Sequence, residues 1–346
     1  MTKIKIIKPG LLTTVQDLGR YGYQQYGVCV SGVMDQVAAR LANILLANDE
    51  GEGLLELTML GPEIEFLDPT LIAITGGDLS PALNAKPVDM NRSLRVGPGD
   101  RLTFGPMKTG CRSYIAFAGG VDVPLVMGSK ATYTRGNMGG HEGRALKAGD
   151  ILKIGQPQNP QATCLDREIK EGLYEYSNNI ELRIVLGPQE DAFSKEGLET
   201  FFANEYKVSN ECDRMGYRLE GEKIQHKEAG DIISDGIAMG AVQVPSHGQP
   251  IIMMADRQTT GGYAKIGNII TVDLPKVAQA KPGDKIIFKE ISLVEAHDLL
   301  RELEEKINFL RDKCQRVEEE VIRTRKFHVK VNGNSYNLLV EELKNY

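Results

Sequence analysis

Short alternating runs of apolar and polar residues dominate roughly the first 290 positions of the chain. Clear examples are residues 71–75, 113–118 and 181–186, and turn residues separate such runs at close intervals. Alternation with a period of two, broken by frequent turns, is typical of half-buried strands. The pattern therefore predicts a mainly β fold over this part of the chain.

Residues 34–47 interrupt the strand pattern with a helical one. Val37, Leu41 and Ile44 recur at a spacing that places them on one face of a helix. Asp35 lies in the first turn, where a carboxylate suits the positive end of the helix dipole. A structural role is therefore one interpretation of Asp35.

A Gly-Asp pair followed by an alternating run occurs at three places. The pairs are residues 99–100, 149–150 and 283–284. Gly-Asp marks a tight turn, and recurrence of a turn with its strand predicts two related halves. These halves are residues 1–158 and 181–291, with the polar segment 156–180 as linker. The alternative is that Gly-Asp is only a common turn dipeptide.

The C-terminal region has a different pattern, which predicts a helix over 292–325. Its apolar residues recur at alternating steps of three and four: Leu300, Leu303, Ile307, Leu310, Cys314, Val317 and Val321. Such a seam packs either on its own domain or on a second helix, so self-association through 300–321 is an open alternative. Alternation around Asn332-Gly333 then predicts a β-hairpin in 326–346.

Composition narrows the class of protein further. The net charge of −6 argues against nucleic acid or an anionic membrane as the main partner. The five cysteines form no CxxC pair, which suits reduced thiols in the cytoplasm. The N-terminus lacks the apolar core of a signal peptide, and no apolar run is long enough for a membrane helix. We expect a cytoplasmic protein.

Several common chemistries have no motif in this sequence. There is no GxxxxGK[ST] loop for a nucleotide, no GxGxxG in a βαβ context and no metal-ligand spacing among the five histidines. We therefore expect neither a nucleotide site nor a metal site in this chain.

The densest group of polar residues is ADRQTTGGYAKIG at 255–267, directly after the apolar run PIIMMA. Arg257 can hold a carboxylate in a bidentate manner. Gln258 and Thr260, with Thr259 beside them, can bind an amide. Lys265 can stabilise an oxyanion or deliver a proton. Each residue alone has an ordinary structural interpretation, but their density favours a binding site.

Two further regions contribute candidates for substrate binding. Gln16 and Asp35 belong to a polar, glycine-containing region at 13–35, although Gln16 is also compatible with a simple turn. Asp213 and Arg214 occupy a comparable place in the second half. A third polar region, 119–144, supplies no single candidate. We expect 256–265 and its counterparts in the other half to line one concave pocket.

Three of these segments together resemble the family of 5-oxoprolinase C subunits, also called allophanate hydrolase subunit 2 or the biotin-dependent carboxyltransferase-like family. They are TTVQDLGRYGYQQYGVCVSGVMDQVAARLANILLAN, GGVDVPLVMGSKATY and AVQVPSHGQPIIMMADRQTTGGYAKIG. The resemblance runs from about residue 3 to about residue 303. Ala264 stands where relatives usually have Pro, Cys212 stands where Ser is common, and the tail lies outside the family pattern.

The resemblance implies two cyclophilin-like β-barrel halves in tandem, with the C-terminal helix and hairpin added. It also implies two partners in an ATP-dependent 5-oxoprolinase: a B-subunit homologue of the allophanate hydrolase subunit 1 type, and the A subunit. That complex opens the lactam of 5-oxo-L-proline to give L-glutamate. ATP is used by the complex, and no motif in this chain binds it.

If the chain is an enzyme subunit of a 5-oxoprolinase, four polar residues of the third segment have specific roles. In this hypothesis Arg257 holds the substrate carboxylate. Gln258 and Thr260 position the lactam, and Lys265 stabilises negative charge on the lactam oxygen.

Two alternatives remain from the same resemblance. The first is the carboxyltransferase component of a biotin-dependent urea or amide carboxylase. The chain has no Ala-Met-Lys-Met site for biotin, although residues 326–343 resemble the opening hairpin of biotinyl carrier domains. The second is a non-catalytic regulator, an antagonist of a kinase inhibitor, that acts by capturing its B-subunit homologue.

Overall fold

The computed structural model describes residues 2–157, 167–170, 173–228, 230–315, 321–331 and 334–343. Its first half contains helix α1 (Gln36–Leu45) and a series of strands. The strands are β1 (Lys3–Lys8), β2 (Leu12–Gln16), β3 (Leu54–Thr58), β4 (Glu63–Phe66), β5 (Thr70–Asp78), β6 (Ala82–Leu83), β7 (Lys86–Pro87), β8 (Ser93–Val96), β9 (Arg101–Thr103), β10 (Thr109–Phe117), β11 (Val121–Asp122) and β12 (Ile151–Ile154).

The second half contains the short helices α2 (Lys195–Ala203) and α3 (Leu274–Ala278). Its strands are β13 (Asn179–Leu186), β14 (Tyr206–Cys212), β15 (Gly216–Glu220), β16 (Asp231–Gly236), β17 (Ala241–Gln243), β18 (Ile251–Met253), β19 (Thr260–Tyr263), β20 (Lys265–Ile269) and β21 (Lys285–Glu290). Seven of these close into a barrel in the order β13-β20-β17-β18-β15-β14-β21. The mainly β prediction is confirmed.

Two sheets form the first half, with strand orders β11-β12-β1-β4-β9-β6-β7 and β2-β3-β10-β5-β8. Ile4, Ile64, Leu55 and Ile115 from the two sheets share one buried core cluster. These residues alternate with more exposed ones in strands such as β4, as a two-layer β structure requires. The sheets of the first half contain only strands β1 to β12, so each half has its own sheets.

The three Gly-Asp turns share one geometry. Gly99, Gly149 and Gly283 have φ values of +85°, +92° and +95°, in the left-handed region that favours glycine. Each following aspartate accepts a hydrogen bond from the backbone N–H three residues earlier: Asp100 from Gly97, Asp150 from Lys147 and Asp284 from Lys281. The pairs are therefore equivalent turns, each leading into a strand.

The linker 156–180 is described only in part, since 158–166 and 171–172 lie outside the described residues. Two of its tyrosines connect it to both halves. The Tyr176 hydroxyl donates to Asp35 at 2.9 Å, and the Tyr174 hydroxyl donates to the Val272 carbonyl at 2.9 Å. This part of the linker is therefore packed against the folded core.

Helix α4 (Leu293–Gln315) is shorter than the 292–325 helix that the sequence predicts. Val321, which the heptad pattern assigns to the helical seam, is the first residue of strand β22 (Val321–Val331), and Val317 lies outside the described residues. Within α4, the seam residue Ile307 is fully buried in a cluster that includes Leu41 of α1. Of the two alternatives for the seam, the structure shows packing on its own chain.

The hairpin prediction is confirmed by the pairing of β22 with β23 (Asn334–Leu343), while Asn332-Gly333 itself lies outside the described residues. The hairpin is a separate two-stranded sheet. Among the described helices, none is both long enough and apolar enough to cross a membrane.

Candidate functional site

Strands β16 and β19 form a two-stranded flap outside the barrel. Asp235 of β16 pairs with Gly261 of β19, and a bulge separates this pair from Asp231–Tyr263. Ile233 in the bulge is 95% exposed, so the flap projects into solvent. The flap contains part of the polar stretch identified in the sequence, because β19 is the segment TGGY.

Lys265 begins β20 and is buried against the base of the flap. Its Nζ donates to Asp235 Oδ2 at 2.8 Å. Gln189 completes a ring: its Oε1 accepts from the Lys265 backbone N–H at 3.1 Å, and its Nε2 donates to Asp235 Oδ2 at 3.1 Å. The hydrogen bond from Lys265 holds the pKa of Asp235 below its ordinary value. The ammonium group therefore already has an internal carboxylate partner.

Arg257 is a half-buried cation whose hydrogen bonds, within the described residues, go to backbone carbonyls. Its Nε donates to the Ile237 carbonyl at 2.9 Å, and its Nη1 donates to the Met254 carbonyl at 3.2 Å. Burial lowers the pKa of its guanidinium. No carboxylate of the described residues hydrogen-bonds to it, so Arg257 has the charge and the donors to bind an anion.

Two glutamine side chains meet over Gly261. A Cβ atom placed on Gly261 would lie 2.9 Å from Gln243 Nε2, 3.4 Å from Gln258 Nε2 and 2.7 Å from Ile237 Cδ1. A side chain at this position would therefore require the two amide groups and the Ile237 side chain to move. The Gln258 Oε1 atom is buried and has no hydrogen-bond partner among the described residues. An amide with unused hydrogen-bonding capacity is suited to a polar ligand.

A cleft of about 620 Å³ opens beside this pair. Gln258, Gln243 and Asp213 line it, and Arg135 lines it from the first half. Arg135 donates to Asp213 at 2.9 Å, so both halves contribute to the rim. The structure thus brings Gln258 and Asp213 together in one concave site with a counterpart from the other half.

Arg257 and Lys265 are not among the residues that line this cleft. Each is next to a residue that does line it: Gln243 pairs with Lys265 across β17 and β20, and Arg257 precedes Gln258. Thr260 is exposed on the flap, and the Thr259 carbonyl accepts from the Ile237 N–H at 3.1 Å. Of the stretch 256–265, only Gln258 and Tyr263 line the cleft, so the expectation that the whole stretch lines one concave pocket is met only in part.

Arg214 has a structural role and does not line the cleft. It is buried and donates from Nε and Nη2 to both oxygens of Asp256, each at 3.0 Å. It also hydrogen-bonds to Glu56 and to the Gly32 carbonyl of the first half. All of these partners are protein groups, so Arg214 joins the halves and is not free to bind a substrate.

Asp35 is likewise engaged within the protein. It caps α1 by accepting from the Ala38 N–H at 2.9 Å, and its other oxygen accepts from Tyr176 and Gln279, each at 2.9 Å. Burial raises the pKa of this carboxyl group. The helix-capping interpretation from the sequence accounts for these contacts, and the fully buried carboxyl group presents no surface to a ligand.

Gln16 is buried in strand β2. Its Nε2 donates to the Thr132 carbonyl at 3.1 Å and to Thr14, while its Oε1 has no partner among the described residues. It does not line the cleft beside the flap. We therefore remove Gln16, Asp35 and Arg214 from the proposed site.

Sequence reasoning missed four residues that the structure places at the site: Gln189, Asp235, Gln243 and Arg135. Gln189 and Asp235 come from segments without a distinctive pattern, and only folding brings them to the polar stretch. Gln243 lies within the third segment quoted for the family resemblance and Arg135 within the polar region 119–144, and these were the available signals. The described residues contain no group of His, Cys, Asp and Glu side chains arranged to hold a metal ion.

Comparison with known proteins shows the family to which the chain is similar. Residues 26–290 match the family described as carboxyltransferase domain, subdomain A and B. The chain is 39% identical over 293 residues to the 5-oxoprolinase C subunit of Escherichia coli (strain K12), a match that covers 85% of this chain and 93% of that protein. It is 36% identical to the urea amidolyase of Lachancea kluyveri, over 89% of this chain but only 18% of that protein.

Among solved structures, the urea carboxylase of Kluyveromyces lactis matches with a TM-score of 0.80 and 28% identity. That match covers 98% of this chain and 32% of the urea carboxylase chain. The chain therefore spans nearly the whole of the bacterial relative but less than a third of the two urea-metabolising proteins.

Proposed function

This chain belongs to the carboxyltransferase domain family, subdomain A and B, and from that premise we propose that it is the C subunit of a 5-oxoprolinase. The complex opens 5-oxo-L-proline to L-glutamate and uses ATP. The chain acts only together with a B-subunit homologue and an A-subunit homologue. It contributes the substrate site at the flap, and because it has no ATP-binding motif, the partners bind the ATP.

One observation carries this proposal: the similarity to the Escherichia coli protein extends over 93% of that protein. The match to urea amidolyase covers a small part of a much longer chain. A relative matched over nearly its full length is a better guide to function than one domain of a large enzyme, because a domain can be reused in different chemistry.

Specific contacts support the proposed roles of Arg257 and Gln258, whereas the roles of Thr259, Thr260 and Lys265 follow from the 5-oxoprolinase hypothesis. Arg257, a cation that hydrogen-bonds to no carboxylate of the described residues, holds the carboxylate of 5-oxoproline. Gln258, with its unused amide, positions the lactam together with Thr259 and Thr260. Lys265 stabilises negative charge that develops on the lactam oxygen when the ring opens.

Coexpression of the chain with its A-subunit and B-subunit homologues tests the proposal. The measurement is glutamate release from 5-oxo-L-proline with and without ATP. We expect release only with all three chains and ATP, and we expect Lys265→Ala to lower kcat by about 100-fold or more, as loss of an oxyanion-stabilising donor does.

Lys285 provides the matched control. It lies on the same barrel and pairs with Glu205 at 2.8 Å, outside the cleft. Lys285→Ala should leave kcat within about twofold of wild type, because an exposed ion pair contributes little. Full activity of Lys265→Ala would remove that residue from catalysis. Absence of glutamate release from an intact three-chain complex would overturn the function itself.

A second candidate function has its own supporting observation. The structural match to urea carboxylase covers 98% of this chain, which includes α4 and the hairpin β22–β23. The similarity to the bacterial 5-oxoprolinase protein covers 85%. The tail is therefore a feature that the structural match shares with a carboxylase, and it favours a carboxyltransferase that receives its carboxyl group from a separate biotin carrier.

Two activity assays separate the two candidates. The C subunit of a 5-oxoprolinase should release glutamate, and it should still do so after removal of residues 316–346. A carboxyltransferase should instead show transfer of labelled carboxyl groups from a purified carboxylated biotin carrier to urea, and no glutamate release. The genes beside this one provide a rapid preliminary test, since a biotin carrier and biotin carboxylase would favour the second candidate.

A further inference from the structure

Lys265 is the more buried of the two cations in the polar stretch, and Asp235, the carboxylate that covers it, is exposed to solvent. The Lys265 side chain is 9% exposed, whereas the side chain of its partner Asp235 is 54% exposed. Asp235 belongs to the flap, which is not part of the closed barrel. The ammonium is therefore covered by a carboxylate on an element that can move without breaking the barrel.

The attachment of the flap near Asp235 is polar and local. Asp235 Oδ2 accepts hydrogen bonds from Lys265 Nζ and from Gln189 Nε2. Two residues further on, the Ile237 carbonyl accepts a hydrogen bond from Arg257. Beyond this point most of β16 is exposed to solvent. The flap also contacts the barrel through Ile232, which packs against the barrel core. Release of the Asp235 end alone costs little, because this carboxylate is half exposed and an ion pair open to solvent contributes little to stability.

We propose that Lys265 is an oxyanion-binding site whose internal occupant is Asp235, and that a ligand oxyanion enters by displacing Asp235 and lifting the flap. Asp235 Oδ2 then marks the position that the ligand oxygen takes. The site accepts a small carboxylate or an oxygen on which negative charge develops. That this oxygen is the lactam oxygen of 5-oxoproline rests on the proposed function, whereas the site and its latch do not.

A movable flap explains how Lys265 can be paired with Asp235 in the free protein and still stabilise a negative charge on a ligand. An ammonium neutralised by a carboxylate is a weak stabiliser of a second negative charge, because the carboxylate repels it. Lys265 can act on a substrate only after Asp235 has left. The flap therefore couples the entry of an anionic ligand to the exposure of the cation, and Gln189 remains behind to orient the backbone of Lys265.

The test uses the full chain and acetate, which reproduces the headgroup of the aspartate side chain. The variants are Asp235→Asn and, as matched control, Glu205→Gln, which breaks the Lys285 pair on the same barrel. Lysine exposure is measured by labelling with an amine-reactive ester and peptide mass spectrometry. Flap protection is measured by hydrogen exchange of residues 231–236.

In Asp235→Asn we expect labelling of Lys265 and exchange of the flap to rise about 2- to 5-fold, the size of effect that loss of an exposed ion pair produces. Acetate, balanced with chloride at constant ionic strength, should lower Lys265 labelling in this variant and should raise flap exchange in wild type. Glu205→Gln should change labelling at Lys285 alone.

Unchanged Lys265 labelling and unchanged flap exchange in Asp235→Asn would overturn the proposal, since the pair would then not hold the flap. Equal protection of Lys285 by acetate in Glu205→Gln would also overturn it, because the effect would be a general one on exposed lysines. Neither readout uses 5-oxoproline or ATP. Failure here is therefore distinguishable from failure of the 5-oxoprolinase assay.

Discussion

Arg214 and Asp256 form a buried bidentate ion pair, with Nε–Oδ2 and Nη2–Oδ1 distances of 3.0 Å. Arg214 also reaches Glu56 and the Gly32 carbonyl, both in the first half. One guanidinium thus satisfies two buried carboxylates and ties the halves together. Both carboxylates are almost completely excluded from solvent.

Replacement of Arg214 should destabilise the protein severely. Arg214→Met leaves Asp256 and Glu56 as buried charges without this partner, which costs about 3–5 kcal/mol in the free energy of unfolding. Urea denaturation monitored by circular dichroism measures this. The control is Arg301→Met, which breaks an exposed pair with Asp298 and should change the free energy of unfolding by about 0–1 kcal/mol. Equal effects of the two substitutions would contradict the structural role of Arg214.

The turn at Asp150 predicts a specific loss of stability in acid. Hydrogen bonds from Arg144 lower the pKa of Asp150 from 3.8 to about 2. The folded protein therefore binds this proton less tightly than the unfolded chain does. The stabilisation is complete above about pH 4 and disappears as the pH falls to about 2.

Asp150→Asn should accordingly lower the free energy of unfolding by about 1 kcal/mol at pH 6 and match wild type near pH 2. Denaturation curves across this pH range provide the measurement. Glu142→Gln removes the exposed partner of the same arginine, and its effect should stay within about 0.5 kcal/mol. A difference between Asp150→Asn and wild type that does not change with pH would refute the assignment.

Helix α4 should stabilise its own chain through Ile307. This side chain is fully buried in the cluster shared with α1, so Ile307→Ala should cost about 2–5 kcal/mol. Phe309, two positions away, is 63% exposed, and Phe309→Ala should change stability by about 0.5 kcal/mol at most. If light scattering showed that Ile307→Ala lowers the mass in solution, the seam would also serve an assembly.

Arg257 should affect substrate binding more than turnover. If it holds the carboxylate equally in the ground state and the transition state, Arg257→Met raises KM for 5-oxo-L-proline by about 10- to 100-fold and leaves kcat nearly unchanged. Steady-state assays of the three-chain complex measure both constants. A fall in kcat with KM unchanged would instead place Arg257 in the chemical step.

The amide role of Gln258 is open to a separate measurement. Gln258→Leu keeps most of the side-chain volume but removes the amide, so KM should rise by about 5- to 10-fold for the loss of one neutral hydrogen bond. Gln249→Leu is the control, because that glutamine bonds to Gly221 and does not line this cleft. Unchanged KM in Gln258→Leu would exclude the amide from lactam recognition.

Features made by neighbouring residues could be read from the sequence alone. The three Gly-Asp turns depend on a positive φ at glycine and on a hydrogen bond across three positions, so the residue types determine the conformation of the turn. The cap of α1 by Asp35 spans the same short distance. Strand alternation predicted the mainly β class, since a period of two reports burial on one face.

Tertiary structure alone decided which polar residues share a site. Asp235 meets Lys265 from 30 positions away, Arg135 meets Asp213 from 78, and Arg214 meets Glu56 from 158. Such pairs depend on strand register, on closure of the barrel and on how the halves dock, and no local pattern encodes these. Arg214 and Arg257 both appear in the sequence as arginines in polar stretches, yet folding gives them different partners. Arg214 is buried against two carboxylates, whereas the partners of Arg257 among the described residues are backbone carbonyls.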